Sequence, residues 1–308
     1  MAIRQKMLSV ICCTMCSLGV ISTAHAEDLI AKTPAKTLSG GLARPESSHF
    51  YKGYIYVSSQ DGPGNKKDGS GWISKFDTSG KLVKERIVEG LNAPKGIRVA
   101  NDILYTVDIN QLIIVDLKKE KLIAKIDIPN ALLLNDVVVD KDGTLYLSDT
   151  VQGAIYKVKR PLSKKASIEI WMKNLAQVPN GLYLDGKKLY VAGWGTEIKP
   201  DYKTTQEGRL YTINIDDQKI EELTEPLGKL DGVEMTEDGE ILFSALWQDI
   251  IYSYSPKTKQ TKILYQSDRK NTHVDNYAVN PGDIGIIPSK RLILIPNGML
   301  DQVSLMPY

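Results

Sequence analysis

The stretch LNDVVVDKDGTLYLSDT, residues 134–150, decides the fold. Within it, VVVDKDGTLYLSD reads as a hairpin: two short apolar runs joined by Asp142-Gly143, a dipeptide that supplies the positive φ angles of a tight turn. That leaves one pair unexplained, because Asn135-Asp136 puts two polar residues where the first strand begins. Relatives of the second strand recur along the chain: IYVSS at 55–59, LYTVD at 104–108, LYVAG at 189–193, ILFSA at 241–245 and LILIP at 292–296. Asp-Gly turns also precede the copies at 189 and 241 (Asp185-Gly186, Asp238-Gly239). A third strand usually follows, such as WISKFD from Trp72, AIYKVK from Ala154 or IIYSYS from Ile250.

Successive central strands begin 49, 41, 44, 52 and 51 residues apart. A period of about 40–50 residues with three or four strands per unit, and little helical periodicity, is the signature of a β-propeller. The expected fold is therefore all-β, with six blades in one domain over residues 27–308. The last copy reaches Tyr308 after only three strands. Residues 31–38, ahead of the first copy, are expected to supply the fourth strand and so remove an exposed sheet edge.

The first 26 residues read as a signal peptide: Arg4 and Lys6, an apolar run, then Ala24-His25-Ala26 as a small-x-small cleavage pattern. The expectation is an exported product, periplasmic or secreted, with no membrane association once the leader is cut. All three cysteines (Cys12, Cys13, Cys16) lie in that leader, which removes disulfides, cysteine nucleophiles and thiolate metal sites from the remainder. Two of the 39 basic residues and none of the 37 acidic ones lie there too, leaving 37 against 37. A balance near zero with no basic tract argues against a nucleic-acid partner. A small molecule is the expected partner, and oligomeric state is left open.

Nine or ten residues before each central strand stands the expected start of an innermost strand. The six positions are Glu46, Lys95, Asn135, Asn180, Asp231 and Asp283, in the contexts PES, PKG, LND, PNG, LDG and PGD. Innermost strands line the channel of a propeller, and their starts share one face, so the six should converge. Asn and Asp also begin strands simply by making Asx turns. Turn chemistry does not, however, require all of them to face one axis. Three carboxylates and two amides are the oxygen donors that hard cations prefer, and carboxylates gathered in a partly desolvated channel repel one another unless neutralised. One divalent cation is expected there, with Ca²⁺ favoured and Zn²⁺, Mn²⁺ or Mg²⁺ as alternatives.

Glu46 in RPESSHF, Asn135 in LLNDVVVDKDG, Asn180 in VPNGLYLDG and Asp231 in LDGVEMTEDG resemble the metal-site motifs of the regucalcin/gluconolactonase family of six-bladed propellers. The resemblance spans nearly the whole chain after the leader, in order, and extends more distantly to paraoxonase-type lactonases. It implies a cation held by Glu46, Asn180 and Asp231, with Asn135 touching metal or substrate, and lactone hydrolysis as the reaction. Two departures stand out. Sugar-lactone members carry an Arg just before the Asn of the third blade, where this chain has Leu133-Leu134; paraoxonase-like enzymes carry a His where this chain has Lys95.

His49 is an odd number of positions from Glu46 and is expected on the opposite side of a regular strand. The expected base is accordingly a carboxylate, Asp231, with substrate contacts from Asn135, Lys95 and Asp283. Two long loops, 60–71 and 193–208, should rise on the same face. Trp194 and Trp247 read either as an aromatic wall for an apolar or ring-shaped substrate or as inter-blade packing. The expected function is metal-dependent hydrolysis of lactones or related cyclic esters. The alternative is a non-catalytic exported propeller that binds a ligand or protein around a structural cation.

Overall fold

Six antiparallel sheets account for the chain in the computed structural model, which describes residues 34–267 and 280–308. The expected leader lies outside the described residues, as does His273. Blade one comprises Pro45–Tyr51, Tyr54–Ser59, Gly71–Asp77 and Leu82–Leu91; blade two, Pro94–Ala100, Ile103–Asp108, Gln111–Asp116 and Lys121–Asp127. Blade three follows with Leu134–Val139, Leu145–Asp149, Ala154–Lys159 and Ser167–Met172. Blade four has Val178–Asp185, Lys188–Thr196, Leu210–Asn214 and Ile220–Glu222, with the short strand Gln206–Glu207 paired to its long second strand. Blade five is Leu230–Met235, Ile241–Ala245, Ile250–Ser255 and Gln260–Gln266; blade six is Gly285–Ile287, Leu292–Asn297 and Gln302–Pro307. A single 3₁₀ turn, Pro288–Lys290, is the only helical element among the described residues, and none of their helices is long and apolar enough to cross a membrane.

The sequence pattern follows from burial. Central strands such as Leu145–Asp149 are covered on both faces and read as continuous apolar runs. Outer strands such as Lys121–Asp127 stay half in solvent and carry the lysines that discourage edge pairing. Each inner strand lies against the next, and the sixth returns to the first through Asp283 N–H to Glu46 O (2.7 Å) and Ser48 N–H to Asp283 O (3.2 Å). Lys36–Leu38 pairs antiparallel with Gln302–Pro307 and becomes the outer strand of blade six, as the missing fourth strand required.

The inner strands of blades one to five share an irregularity that alternation cannot anticipate. In blade three Leu134 faces Asp149, but Val137 faces Leu147, so three residues are spent against two; the same slip falls between Pro94 and Ile97 and between Leu230 and Val233. Each is a β-bulge, which re-aims a side chain. The second residue of the bulge is Ser47, Gly96, Asp136, Gly181 or Gly232, and it is small or specialised because the next blade presses against it. A Cβ on Gly181 would stand 1.9 Å from Asp231 O.

The pair left open in the sequence is explained here. Asn135 turns toward the channel mouth, while Asp136 accepts the Leu182 N–H of blade four at 2.7 Å and so ties two blades together. Its own N–H, displaced from the ladder by the bulge, donates to Ser148 Oγ at 2.9 Å; Ser47 and Gly232 make the same bond to Ser58 and Ser244.

The bulge also corrects one expectation. With an extra residue inserted, positions three apart share a side, so His49 points with Glu46 toward the axis, where its Nδ1 lies 3.4 Å from the Arg98 guanidinium.

Candidate functional site

A cavity of about 690 Å³ opens over the starts of the inner strands. Its floor holds Glu46, Lys95, Asn135, Asn180 and Asp231, so five of the six expected positions converge. Asp283 does not line it. The sixth inner strand starts late, at Gly285, Gly282 takes the lining position, and the Asp283 carboxylate turns beneath the floor to accept Ser47 O–H at 2.5 Å. The walls come from connections between second and third strands. Gln60 and Gly64 belong to the first long loop; Trp194 falls inside the strand Lys188–Thr196, which runs further than the expected loop 193–208 allowed, with Tyr202 in the connection after it; Trp247 and Met299 belong to blades five and six. Trp194 meets Trp247 edge-on, centroids 5.5 Å apart, and its indole N–H donates to Tyr202 O at 3.0 Å. Buried Lys229 pairs with Glu207 at 2.8 Å under this wall.

The floor is held by a few polar contacts. Asn180 Nδ2 donates to Asp231 Oδ1 and to Leu230 O, each at 3.0 Å, while Asn180 Oδ1 accepts from Thr150 at 3.3 Å. Lys95 Nζ stands 3.5 Å from Glu46 Oε1. Two acceptors, Glu46 Oε2 and Asn135 Oδ1, are buried with no hydrogen-bond partner among the described residues.

Beneath this layer lies a second that alternation had hidden. Arg98, three residues after Lys95, pairs with Glu234 across the axis, donates to Leu182 O at 2.8 Å and lies 3.9 Å from Asp136. One side chain of blade two thereby touches blades one, three, four and five. A spacing of three from each anchor, combined with the small residue after it, was the available signal; a Gly inside a strand pattern marks a bulge.

Buried charge in the two layers is unequal. Among the described residues, the carboxylates Glu46, Asp136, Asp231, Glu234 and Asp283, all buried but the partly buried Glu46, gather around two cations, Lys95 and Arg98. Burial, then the charge of Asp283, pushes Asp231 up to about 8, against the pull of Lys95. Burial raises Glu46 well above the carboxylate range, although Lys95 opposes it. Desolvation lifts Glu234 to about 7 and Asp283 to about 6, each restrained by Arg98. His49 is driven the other way, to about 3, by burial and by Arg98, and is neutral. Burial is the first cause at each of these carboxylates, and a positive charge beside them would lower them again.

Among the described residues no group of three or more His, Cys, Asp or Glu side chains gathers as a metal cluster. The oxygen donors on the floor are two carboxylates and two amides. They fit a hard cation on two grounds: the unpartnered Glu46 Oε2 and Asn135 Oδ1, and the carboxylate excess around them.

No family model and no curated protein matches the chain. Solved structures do. Virginiamycin B lyase from Staphylococcus aureus is 13% identical with a TM-score of 0.55, over 89% of this chain and 88% of that one. A chain of a nidogen/laminin complex is 12% identical with a TM-score of 0.58, over 78% and 91%. The extracellular domain of a putative one-component system from B. thetaiotaomicron is 14% identical with a TM-score of 0.55, over 86% of this chain. This chain spans about a third (32%) of that one's length. Such identities establish the shared propeller, a fold that these proteins put to an enzyme, a complex and an extracellular domain.

Proposed function

We propose that this chain is a cation-dependent hydrolase of lactones or related cyclic esters, exported by its leader-like first 26 residues. The observation that carries the reading is the surplus of buried carboxylate charge under an open cavity, with Glu46 Oε2 and Asn135 Oδ1 unpartnered at its floor. The motif resemblance around Glu46, Asn135, Asn180 and Asp231 adds to it.

Glu46, Asn180 and Asp231 would hold the ion, with Asn135 beside it. A divalent ion bound there supplies Lewis acidity toward a carbonyl oxygen. The rest falls to side chains. Asp231 accepts the proton of the attacking water; its carboxylate is oriented by the Asn180 amide, and burial has moved its pKa toward neutrality, where a general base works best. Asn135 and Lys95 reach the same floor and orient the ester oxygens. The Trp194–Trp247 wall seats the apolar part of the substrate and limits water. Leu133 lines the cavity, and at Leu133-Leu134, where the sugar-lactone members carry an Arg just before the Asn of the third blade, a heavily hydroxylated ring loses an anchor.

A second reading, ligand binding without turnover, is favoured by exposed apolar side chains at the mouth, Trp247 (41% exposed) and Met299 (63%). A panel of aliphatic, sugar and homoserine lactones separates the two. Protein stripped with chelator and reloaded with Ca²⁺, Mn²⁺ or Zn²⁺ should regain hydrolysis of at least one class; no hydrolysis with any ion would leave the binding reading.

A further inference from the structure

Lys95 occupies an unusual place among the floor residues. It is the one cationic side chain on the floor, its side chain is 9% exposed, and its Nζ stands 3.5 Å from Glu46 Oε1. It cannot readily swing away. The first long loop covers it, since a Cβ on Gly64 would lie 3.4 Å from Nζ and 2.8 Å from Gln60 Oε1. The ammonium therefore faces one oxygen of the Glu46 carboxylate, whose other oxygen, Oε2, has no hydrogen-bond partner among the described residues.

We propose that Lys95 is a built-in counter-ion of this floor, which competes with a divalent cation for Glu46 and sets the affinity for it. The inference rests on the metal-site reading above but goes beyond it: the Glu46 carboxylate has two alternative positive partners, the lysine when the ion is absent and the ion when it is bound. Two positive groups against the same carboxylate repel each other. At separations of a few ångströms, in a partly desolvated pocket, that repulsion is of the size that changes an affinity at least tenfold. The lysine is consequently a brake on cation binding as well as a stabiliser of the ion-free protein. Those effects carry opposite signs, and a merely structural residue would not produce both.

The test uses the whole chain, stripped of metal and titrated calorimetrically with Ca²⁺ alone, alongside Lys95→Met, Lys95→Gln and Lys95→Arg. The neutral variants should bind Ca²⁺ about tenfold or more tightly than the parent, and melt below the parent when metal-free. Lys95→Arg, which keeps the charge, should bind as weakly as the parent. Two neutral variants guard against one failing to fold, and circular dichroism reports the fold of each. Calcium binding by the neutral variants alone would support the brake in its strongest form while removing metal dependence from the native activity. Equal or weaker binding by the neutral variants would overturn the inference and leave the hydrolase reading standing. No binding by any of the four would sink both.

Discussion

Asp231 and Glu46 are both carboxylates at the same floor, yet their neighbours give them different work. Asp231 is fixed by an amide donor, and Glu46 leaves one oxygen unpartnered. Asp231→Asn keeps an oxygen donor but loses the base, so cation should still bind while turnover falls by about 10²–10⁴-fold. Glu46→Gln should instead weaken cation affinity, with turnover partly restored at high ion concentration; steady-state rates across an ion titration separate the patterns. The pH dependence of stability follows from the same groups. A carboxylate whose folded pKa is raised stabilises the fold below its unfolded value, and that contribution is lost as pH rises through the folded value. For Asp231 (about 8) and Glu234 (about 7) the loss extends to pH 8. His49, lowered to about 3, acts oppositely, but only below its ordinary 6.5, because above that it is neutral folded or unfolded. The melting temperature of metal-free protein should therefore fall between pH 6.5 and 8, and saturating Ca²⁺ should flatten the slope by neutralising what protons otherwise neutralise. A rising or level profile without metal would contradict the assigned carboxylate shifts.

At the scale of the element, the decisive feature is the bulge at the start of the inner strands. Alternation and Asp-Gly turns placed the strands well: ILFSA was read at 241–245, and the strand is Ile241–Ala245. The six anchor positions were legible because they recur in phase, and five reach the cavity. Legibility ended where period two ended. An inserted residue reverses which side chains face the axis, so His49 turned inward against expectation, Arg98 and Glu234, which the sequence reading did not single out, turned inward with it, and Asp283 was lost from the floor because its strand starts late. Glycine is what makes the bulge compatible with a close neighbour. Gly181→Ala would drive a Cβ into Asp231 O at 1.9 Å, a collision with backbone that no rotamer relieves. A cost of about 1–3 kcal/mol or more is expected from such overpacking, read as a lower urea midpoint. Because the struck atom belongs to Asp231, cation affinity should fall too. Gly143→Ala, at a turn with open space around it, should lose stability only through its positive φ and leave cation affinity unchanged.

For the whole molecule the question is how a ring of six sheets stays closed. Arg98 braces it from inside, and a buried cation with four blades as partners has no sequence signature beyond one Arg in a strand, so it stayed hidden. The outer closure was legible, because a copy that ends after three strands needs a fourth from elsewhere. Lys36–Leu38 provides it, and Leu38 does more than pair. Fully buried, it packs with Leu294 and Leu305 of blade six and with Ile55, Val57 and Phe76 of blade one, so one side chain seals the junction between the chain's two ends. Truncating such a residue removes its burial and leaves a cavity, so Leu38→Ala should cost about 2–5 kcal/mol. Deleting residues 27–40 removes the strand as well and exposes the third strand of blade six as an unpaired edge, which invites association. The deletion should melt markedly lower than the parent and lower than Leu38→Ala. Thermal melts with light scattering check both points, and a deletion variant that melts like the parent would show that blade six closes without its outer strand.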